Sequence, residues 1–397
     1  MKRLKNKKSG SAIVLVIFAI LILFITGVSL LKLGLVSRVY AIRNTAQTRA
    51  RCAADSGLTK ALFEMNEKLK VKPWNDSSLP SDANVALENC DATFGYSVTG
   101  TLGSGYTIES TGNSLQVQKT VSTTLQLAGA FEFAVFGDEG LTMYNSSIID
   151  WYNYDSDDKS LRIGTNSTEG NAVLIKSSAS INGDVLVGIN GNPDQVIDNK
   201  GTVTGQQRAM TEQNILTSVT VPLALQSLPS GGTIQNDTTI TTSSKYTEID
   251  LKNNKTITVD GPVSLYVTGN VTLNNNAQIK VVNTNPDAYL KLYMGGNFEG
   301  KNGSSMNNLT NNSKKLQIYG LDTCQNMDFK NSTNLYGTIY APKADVTFYN
   351  SANAYGSVVA ESFEQKNDMA FYYDASLRDV QVNDELVEFT VNRWSED

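Results

Sequence analysis

Residues 12–31, AIVLVIFAILILFITGVSLL, form an uncharged run of twenty residues, fifteen of which are Leu, Ile, Val or Phe. At a rise of 1.5 Å per residue, such a run makes a helix about 30 Å long, which matches the hydrocarbon thickness of a bilayer. A buried core helix and a cleaved secretory signal are the alternatives. The run is longer than the apolar part of a usual signal, and no small-residue cleavage site follows Leu31. We therefore predict a retained transmembrane segment at 12–31.

The sequence on either side of this run predicts its orientation and its continuation. Residues 1–10, MKRLKNKKSG, carry five basic residues and no acid, so the positive-inside rule places this leader in the cytoplasm. Beyond the run, apolar and small residues recur three or four positions apart as far as Leu69, and no proline occurs before Pro73. The pattern predicts one helix over 11–70, with its first third in lipid and one apolar face of the remainder in need of a partner.

The leader, the apolar run and an alanine-rich stretch together resemble type IV pilins, and more closely the PilX-type minor pilin or pseudopilin family. The matching features are the basic leader that ends in Gly10, the small residue Ser11, and RNTAQTRARCAADSGLTKALFEM at 43–65. The resemblance implies that a prepilin peptidase cuts between Gly10 and Ser11 and that the new N-terminus is methylated. It also implies membrane lipid, other pilin-like subunits and the assembly machinery as partners.

One position departs from the pattern of the major pilins. They carry glutamate at the fifth mature position, where it neutralises the N-terminal amine of a neighbour in the filament core, whereas this chain has Leu15. An uncompensated amine in an apolar core is costly. The sequence therefore favours a tip subunit, or a membrane protein that does not polymerise, over a repeating filament subunit.

Composition excludes several classes of function. The 397-residue chain has no histidine, a net charge of −6 and 18% charged residues. Without histidine, the Ser-His and Cys-His nucleophile pairs and the commonest transition-metal ligand are absent. No basic patch runs through the body, so nucleic acid is not an expected partner. We predict no catalytic residue, no cofactor and no metal site.

The chain has three cysteines, and the sequence does not decide whether two of them form a disulfide. Cys52 falls on the predicted helix, where it serves as a small packing residue. Cys90 and Cys324 can pair in a disulfide if the body of the protein lies outside the cytoplasm, and otherwise they are buried thiols.

A small β-rich region follows the helix at 71–128. It begins with a loop at 71–91 that is rich in Pro, Ser, Asn and Asp, and continues as three alternating strands at 93–99, 106–110 and 116–127. We expect an antiparallel sheet that packs on the apolar face of the helix, as the resemblance also implies.

From Phe131 onward, short apolar runs bounded by Gly or Asn recur about every 20–27 residues. This recurrence predicts a β-solenoid, a right-handed β-helix, over 129–377, with an antiparallel sandwich as the alternative. A proline- and glycine-bearing stretch at 206–245 is predicted to be a linker that crosses the solenoid, and 378–397 to be a C-terminal tail. The stretches LYGTIYAPKADVTFYNSANAYGSVVAESF at 335–363 and FYYDASL at 371–377 are the specific part of a further resemblance. Through them the last third, from about Tyr246 to Leu377, resembles a C-terminal domain often fused to PilX-type N-termini. The predicted fold class is therefore α+β overall.

Few residues of the solenoid region carry recognisable chemistry. The acidic run at 150–158, DWYNYDSDD, offers oxygen ligands for calcium without the EF-hand spacing, and a solvated loop is the alternative. Clustered acidic and basic residues would be needed for a polysaccharide-cleaving β-helix. The candidates for that role, which are equally ordinary surface residues, are Asp328, Lys330, Lys343 and Asp345. Recurrent tyrosines of the later coils can stack on sugars or pack against each other.

These observations lead to two functional hypotheses. The first is a non-enzymatic, minor pilin-like membrane protein with a single pass in the inner membrane and an extracytoplasmic body at the cell surface or pilus tip. Its role would be pilus or secretion-filament assembly, tip display or adhesion, with a surface or polysaccharide ligand for the solenoid. The second is a membrane-tethered β-helix enzyme that acts on polysaccharide.

Overall fold

A computed structural model describes residues 11–153 and 160–396. The chain forms two units, one made of residues 1–128 together with 382–397 and the other of residues 129–381. The first unit contains a long helix and a small sheet, and the second is a β-solenoid. The predicted α+β fold class is confirmed.

The first unit is built on one uninterrupted helix. Its elements, in chain order, are α1 (Ser11–Leu69), β1 (Ser81–Ala86), β2 (Ala92–Thr101), β3 (Gly105–Ser114), β4 (Val117–Gly129) and a last strand at Val387–Glu396. They form a five-stranded sheet in which β1 to β4 are neighbours in sequence order and antiparallel, and the last strand lies beside β4. The sheet has two strands more than the sequence predicted, one in the expected loop at 71–91 and one in the expected tail.

The last strand belongs to this sheet because one of its side chains completes the core. The ring of Phe389 is buried beside Trp74 and Tyr106, with ring centroids 5.6 and 5.4 Å away. The side chain of Asn66 on α1 donates to the carbonyl of Phe389 at 3.1 Å and accepts from its N–H at 2.7 Å. These partners are 323 positions apart in sequence, so no local pattern marked them. The prediction of a plain tail at 378–397 was wrong for 387–396.

The alanine-rich part of α1 is the face on which the sheet lies. A β-carbon on Gly112 of β3 would lie 1.9 Å from the carbonyl oxygen of Ala50 and 2.5 Å from the nitrogen of Ala54. One on Gly57 of α1 would lie 2.3 Å from the hydroxyl of Ser110. Only Ala and Gly let the helix and sheet backbones approach this closely, so the small residues follow from packing. The fully buried apolar side chains along this face are Ala46, Ala50, Ala53, Ala54, Ala61, Met65 and Leu69.

The first part of the solenoid runs from residue 135 to residue 209. Its elements are β5 (Val135–Met143), β6 (Ile148–Tyr152), β7 (Arg162–Gly164), β8 (Val173–Ile175), β9 (Ser180–Ile181), β10 (Asp184–Val187), α2 (Pro193–Val196), β11 (Ile197–Asn199), β12 (Thr202–Val203) and β13 (Gln207–Ala209).

The second part runs from residue 223 to residue 378. Its elements are α3 (Leu223–Gln226), β14 (Thr233–Ile234), β15 (Thr238–Ile240), β16 (Ser244–Tyr246), β17 (Glu248–Leu251), β18 (Thr256–Val259), β19 (Pro262–Val267), β20 (Val271–Asn274), β21 (Gln278–Val281), β22 (Tyr289–Met294), β23 (Phe298–Lys301), β24 (Ser305–Asn308), β25 (Leu316–Gly320), β26 (Asn326–Phe329), β27 (Asn334–Phe348), β28 (Asn353–Gln365) and β29 (Ala370–Asp374), with 3₁₀ turns at Ser313–Lys315 and Ala375–Arg378. The strand at Val387–Glu396 is β30.

The two parts of the solenoid stack on opposite sides of one coil. β28 pairs in parallel with β27 on one side and with β5 on the other, and β29 pairs in parallel with both β28 and β6. The chain thus enters the solenoid in its middle, winds outward from β5 to β13, crosses to the opposite end, and winds back from β14 to β29. This order is a tertiary feature that the repeat pattern did not reveal.

The segment that makes the crossing is residues 210–232, which we call the crossing segment. The sequence predicted a longer linker, 206–245, but β13 already lies within its first residues and β14 to β16 within its last. The prolines and paired glycines that suggested a linker all fall inside 210–232. The flanking residues are strands because each finds a parallel partner in the next coil, such as Gln207 with Val185 and Lys245 with Tyr266.

Each coil contributes one strand to each of three faces. The first face contains β7, β10, β13, β16, β19, β22 and β25, the second contains β8, β11, β14, β17, β20, β23 and β26, and the third contains β6, β9, β12, β15, β18, β21, β24 and β29. β27 and β28 run through all three faces, and β5 through the first two. Inward side chains stack from coil to coil: the rings of Phe298 and Phe348 lie 4.5 and 4.3 Å from that of Phe329.

Asparagines form the corner between the second and third faces. Asn253, Asn275, Asn302 and Asn331 all have φ between 50° and 58°, the left-handed region that asparagine tolerates. From Asn275 onward, each side-chain amide donates to the side-chain oxygen of the preceding asparagine of this set at 3.0 to 3.3 Å. This ladder fixes the turn at the same place in successive coils.

Candidate functional site

The first half of α1 is a continuous exposed apolar surface. Every side chain from Ala12 to Thr45 is exposed. The helix contains an 18-residue window of mean hydropathy 3.1, none of which is buried. Burial of one large aliphatic or aromatic side chain is worth about 1.5–3 kcal/mol, so this segment requires an apolar environment. Among the described residues, α1 is the one helix long and apolar enough to span a membrane.

The predicted processing site lies at the start of this helix. Gly10 is outside the described residues, and Ser11 is the first residue of α1. Cleavage between Gly10 and Ser11 stays a prediction. A cut at this bond would leave the whole of α1 in the mature chain.

All three cysteines are free thiols. Cys52 is exposed on α1, and Cys90 is half-buried against the core of the first unit. Cys324 is fully buried in the solenoid, and this burial raises the pKa of its thiol to about 12. A thiol with so high a pKa is a poor nucleophile, so Cys324 packs as an apolar side chain.

The first face is covered by other parts of the second unit. Its outward side chains in mid-solenoid are at most 5% exposed: Phe136, Tyr293, Tyr319, Tyr340 and Val359. The hydroxyl of Tyr340 donates to the carbonyl of Thr217 in the crossing segment at 2.9 Å, and Phe131 packs edge-on against the same ring. An outward apolar row of this kind is shielded from water only because the chain returns across it.

A cleft of about 260 Å³ opens where the crossing segment meets the corner between the first and second faces. It is lined by Asp138, Asn166, Gln213, Asn214, Ile215, Leu216, Pro342 and Lys343. The amide of Asn166 is already committed to Asp138 and to the backbone of Asn214 at 2.7 to 3.1 Å. The polar groups of this cleft therefore hold the crossing segment in place.

Paired charges cover the second face. On five strands of this face a lysine stands two residues after an acid, and the paired atoms lie 2.5 to 3.2 Å apart in Asp198–Lys200, Asp250–Lys252, Glu299–Lys301, Asp328–Lys330 and Glu364–Lys366. Lys330 also reaches Glu299 on the neighbouring coil at 3.1 Å. Hydrogen bonds from Lys301 and Lys330 lower the pKa of Glu299, and Asp328 and Glu299 raise the pKa of Lys330. The charges of this face therefore largely satisfy one another.

The four candidate catalytic residues do not form one cluster. Asp328 and Lys330 belong to the ion pairs of the second face. The carboxylate of Asp345 accepts a hydrogen bond from the hydroxyl of Ser362, whereas Lys343 lines the separate cleft. This arrangement provides no isolated pair of carboxylates across an open groove, the geometry that glycoside hydrolysis uses.

Within the part of the chain that the structure describes, the third face is open and almost uncharged. Its strands present two outward rows, in which the paired registers of neighbouring strands align the side chains. One row is Thr256, Gln278, Ser305, Asn334, Asn353, Ala370, Ile148, Ser180 and Thr202; the other is Thr239, Thr258, Lys280, Asn307, Tyr336, Tyr355, Tyr372, Asp150, Asn182 and Thr204. None of these side chains is buried. The sequence shows recurrent tyrosines in the later coils, but no local pattern indicates that these residues share a face.

Three tyrosines stack in the middle of the second row. The rings of Tyr336, Tyr355 and Tyr372 lie 5.3 and 5.1 Å apart with interplanar angles of 17° and 19°. Tyr152 packs edge-on against Tyr336 and Tyr355. The ring faces contact each other and the hydroxyl of Tyr336 is buried, so the stack offers a ligand mainly ring edges and the hydroxyls of Tyr355 and Tyr372. A sugar lying flat on an exposed ring, one of the two roles that the sequence left open, is therefore disfavoured.

The acidic run lies only partly within the described residues. The carboxylate of Asp150 accepts from the side chain of Asn182 and from the N–H of Trp151, both at 2.8 Å. Residues 154–159 are outside the described part of the chain. Among the residues that the structure does describe, no group of three or more Asp, Glu or Cys side chains is placed to hold a metal ion.

Comparison with known proteins finds similarity mainly at the level of domains and folds. The model of a family described as "Domain of unknown function (DUF7305)" matches residues 218–380. That range holds α3 and every strand from β14 to β29. No curated protein sequence matches the chain.

Solved structures resemble the chain at low identity. An ice-binding protein from the Antarctic ascomycete Antarctomyces psychrotrophicus is 12% identical, with a TM-score of 0.30 over 62% of this chain and 98% of that one. The DUF3494 domain of ice-binding protein 1 from Shewanella frigidimarina is 16% identical, with a TM-score of 0.32 over 61% and 94%. The competence-associated pilin ComZ from Thermus thermophilus is 12% identical, with a TM-score of 0.22 over 89% and 98%.

Proposed function

We propose that this chain is a non-enzymatic, membrane-anchored minor pilin-like or pseudopilin-like protein that displays a β-solenoid outside the inner membrane. In this role the solenoid serves tip display, adhesion or the assembly of a pilus or secretion filament. Its partners are lipid, other pilin-like subunits and a prepilin peptidase.

The observation that carries the proposal is the division of α1 into two halves. Ala12 to Thr45 is exposed and largely apolar, and Ala46 to Leu69 is buried along one face against the sheet. One helix therefore joins a segment that needs lipid, or a filament core, to a folded body. The basic leader that ends in Gly10 directly precedes this helix, which is the arrangement that prepilin processing requires.

The absence of an enzymatic role is supported by the chemistry that the chain lacks. It has no histidine, and the acids and lysines of the second face are committed to one another. A surface whose charges are mutually paired offers little to polarise a substrate bond. Display at the tip of a filament and adhesion to a surface are therefore the roles that this solenoid fits best.

The test is the mass of the mature N-terminus of the full chain, extracted from membranes of a host that contains a prepilin peptidase. We expect a start at Ser11 with a methylated amine. Gly10→Val should retain the leader, and Ser9→Ala, a matched change one residue away from the cut, should not. An intact leader on the unmodified chain would show that α1 is a simple signal anchor and would contradict prepilin processing. A mature start beyond Leu31 would show that residues 12–31 are a cleaved signal.

A further inference from the structure

The three faces of the solenoid differ in what they leave free for a partner. The outward row of the first face is buried under the crossing segment and Phe131. On the second face, acids and lysines bind each other in ion pairs along and between coils. The outward side chains of the third face are exposed or half-exposed along ten successive strands. The third face is thus the side of the described solenoid whose outward groups are neither covered by the crossing segment nor committed to ion pairs.

The third face repeats the spacing of the coils. Strands in a sheet lie about 4.8 Å apart, so each outward row offers one side chain about every 4.8 Å over about 43 Å. That spacing is close to the length of one sugar unit in an extended polysaccharide. The two outward rows therefore match a polymer of similar repeat. Because the sheet holds their side chains in place before binding, the entropic cost of association is lowered.

The chemistry of the third face selects an uncharged ligand. Only Asp150 and Lys280 carry charge in its two outward rows, and Asp150 is already bonded to Asn182. The other outward groups are mainly hydroxyls and amides, which both donate and accept hydrogen bonds, as sugar hydroxyls do. The half-exposed rings of Tyr355 and Tyr372 add apolar edges that end in hydroxyls.

We propose that the third face binds an uncharged, extended polysaccharide that lies along the solenoid axis with about one sugar unit per coil. The polymer is held by hydroxyl and amide groups of the two outward rows, with Tyr355 and Tyr372 at their centre. This assignment rests on the proposed display function, which places the third face outside the cell.

The experiment measures retention of the full chain, in detergent micelles, on insoluble cellulose and chitin, followed by calorimetric titration with the soluble hexamer of the polysaccharide that retains it. The test variant is Tyr355→Phe with Tyr372→Phe, which keeps both stacked rings and removes two hydroxyls. The matched control is Tyr144→Phe with Tyr349→Phe, which removes two hydroxyls from the second face. Loss of two hydrogen bonds should weaken hexamer binding at least about tenfold in the test variant, and the control should bind like the unmodified chain.

A second variant keeps the test independent of the tyrosine stack. Asn307→Ala, on the coil next to Tyr336, should weaken binding about three- to tenfold, since it removes one amide from the same row. The proposal is overturned if the unmodified chain is retained on neither polysaccharide, if it binds the polyanion alginate in preference to both, or if test and control doubles bind equally well. N-terminal mass is measured on the same samples, so a chain that starts at Ser11 without binding refutes this assignment alone.

Discussion

The contact between Gly112 and α1 makes a quantitative prediction about what holds the first unit together. In Gly112→Ala, the new β-carbon starts 1.9 Å from the carbonyl oxygen of Ala50 and 2.5 Å from the nitrogen of Ala54. Contacts of β-carbons below 3.0 Å are essentially never seen in proteins. The strand and the helix must therefore separate by about 1 Å, and since both obstacles are backbone atoms, no side-chain rotation relieves the clash.

The cost of this separation follows from what the helix buries there. Overpacking a tight site by one methyl group costs about 1–3 kcal/mol, and occasionally more. The displacement also loosens neighbours that are fully buried, such as Ala53 and Ile108. We therefore expect Gly112→Ala to destabilise the first unit by about 2–3 kcal/mol and to leave the solenoid unchanged.

Hydrogen–deuterium exchange of the full chain in detergent micelles resolves the two units separately. In Gly112→Ala, amides of residues 46–69 and of β2 and β3 should exchange about 30- to 150-fold faster under conditions where global opening of the unit governs exchange. Gly103→Ala is the matched control, because nothing lies within 4 Å of a β-carbon at Gly103. Equal exchange in both variants would refute the view that glycine is required at 112 by close backbone packing.

Three further predictions concern the solenoid and the thiols. Phe329→Ala leaves a cavity in the middle of a stack of buried rings and should destabilise the solenoid by about 3–5 kcal/mol in chemical denaturation. Phe63→Ala removes an exposed side chain and should change stability by less than about 0.5 kcal/mol. Similar losses of stability in the two variants would contradict the stacking argument. Hydrogen bonds from Lys301 and Lys330 lower the pKa of Glu299, so its charge stabilises the fold above the unfolded pKa, and this contribution is lost as pH falls through the folded pKa. Glu299→Gln should therefore cost up to about 1 kcal/mol at pH 7, and its difference from the unmodified chain should shrink once pH falls below about 4.3, the usual pKa of glutamate. A difference that does not change with pH would contradict the ion pairs. A maleimide should label Cys52 within minutes and Cys324 only after unfolding, and fast labelling of Cys324 in the folded chain would contradict its burial.

Sequence periodicity predicted the features that depend on local pattern. The apolar run and the three- and four-residue spacing predicted a helix over 11–70, and α1 spans Ser11–Leu69. Alternation with glycine turns predicted three strands at 93–99, 106–110 and 116–127, which correspond to β2, β3 and β4. Recurring apolar runs bounded by Asn and Gly predicted a β-solenoid. Each of these signals depends on residues that are neighbours along the chain.

The asparagines of the solenoid show the limit of prediction from local sequence pattern. Asparagine often serves turns because it tolerates positive φ, yet of the recurring Asn270, Asn297, Asn331 and Asn353 only Asn331 adopts positive φ. The side-chain oxygens of Asn270 and Asn297 instead accept backbone N–H groups of the following coil at 2.9 to 3.0 Å. The residue type was informative, but its partner in the next coil decided which role it plays.

The sequence alone determined that a long apolar helix precedes an antiparallel sheet and a solenoid of short strands, because burial periodicity is a property of consecutive residues. Only the tertiary structure decided that the chain enters the solenoid in its middle, that β30 closes the first sheet, and that the crossing segment covers one face. It also decided which polar residues share the open third face. These features depend on contacts between residues tens to hundreds of positions apart, for which a single sequence carries no local signal.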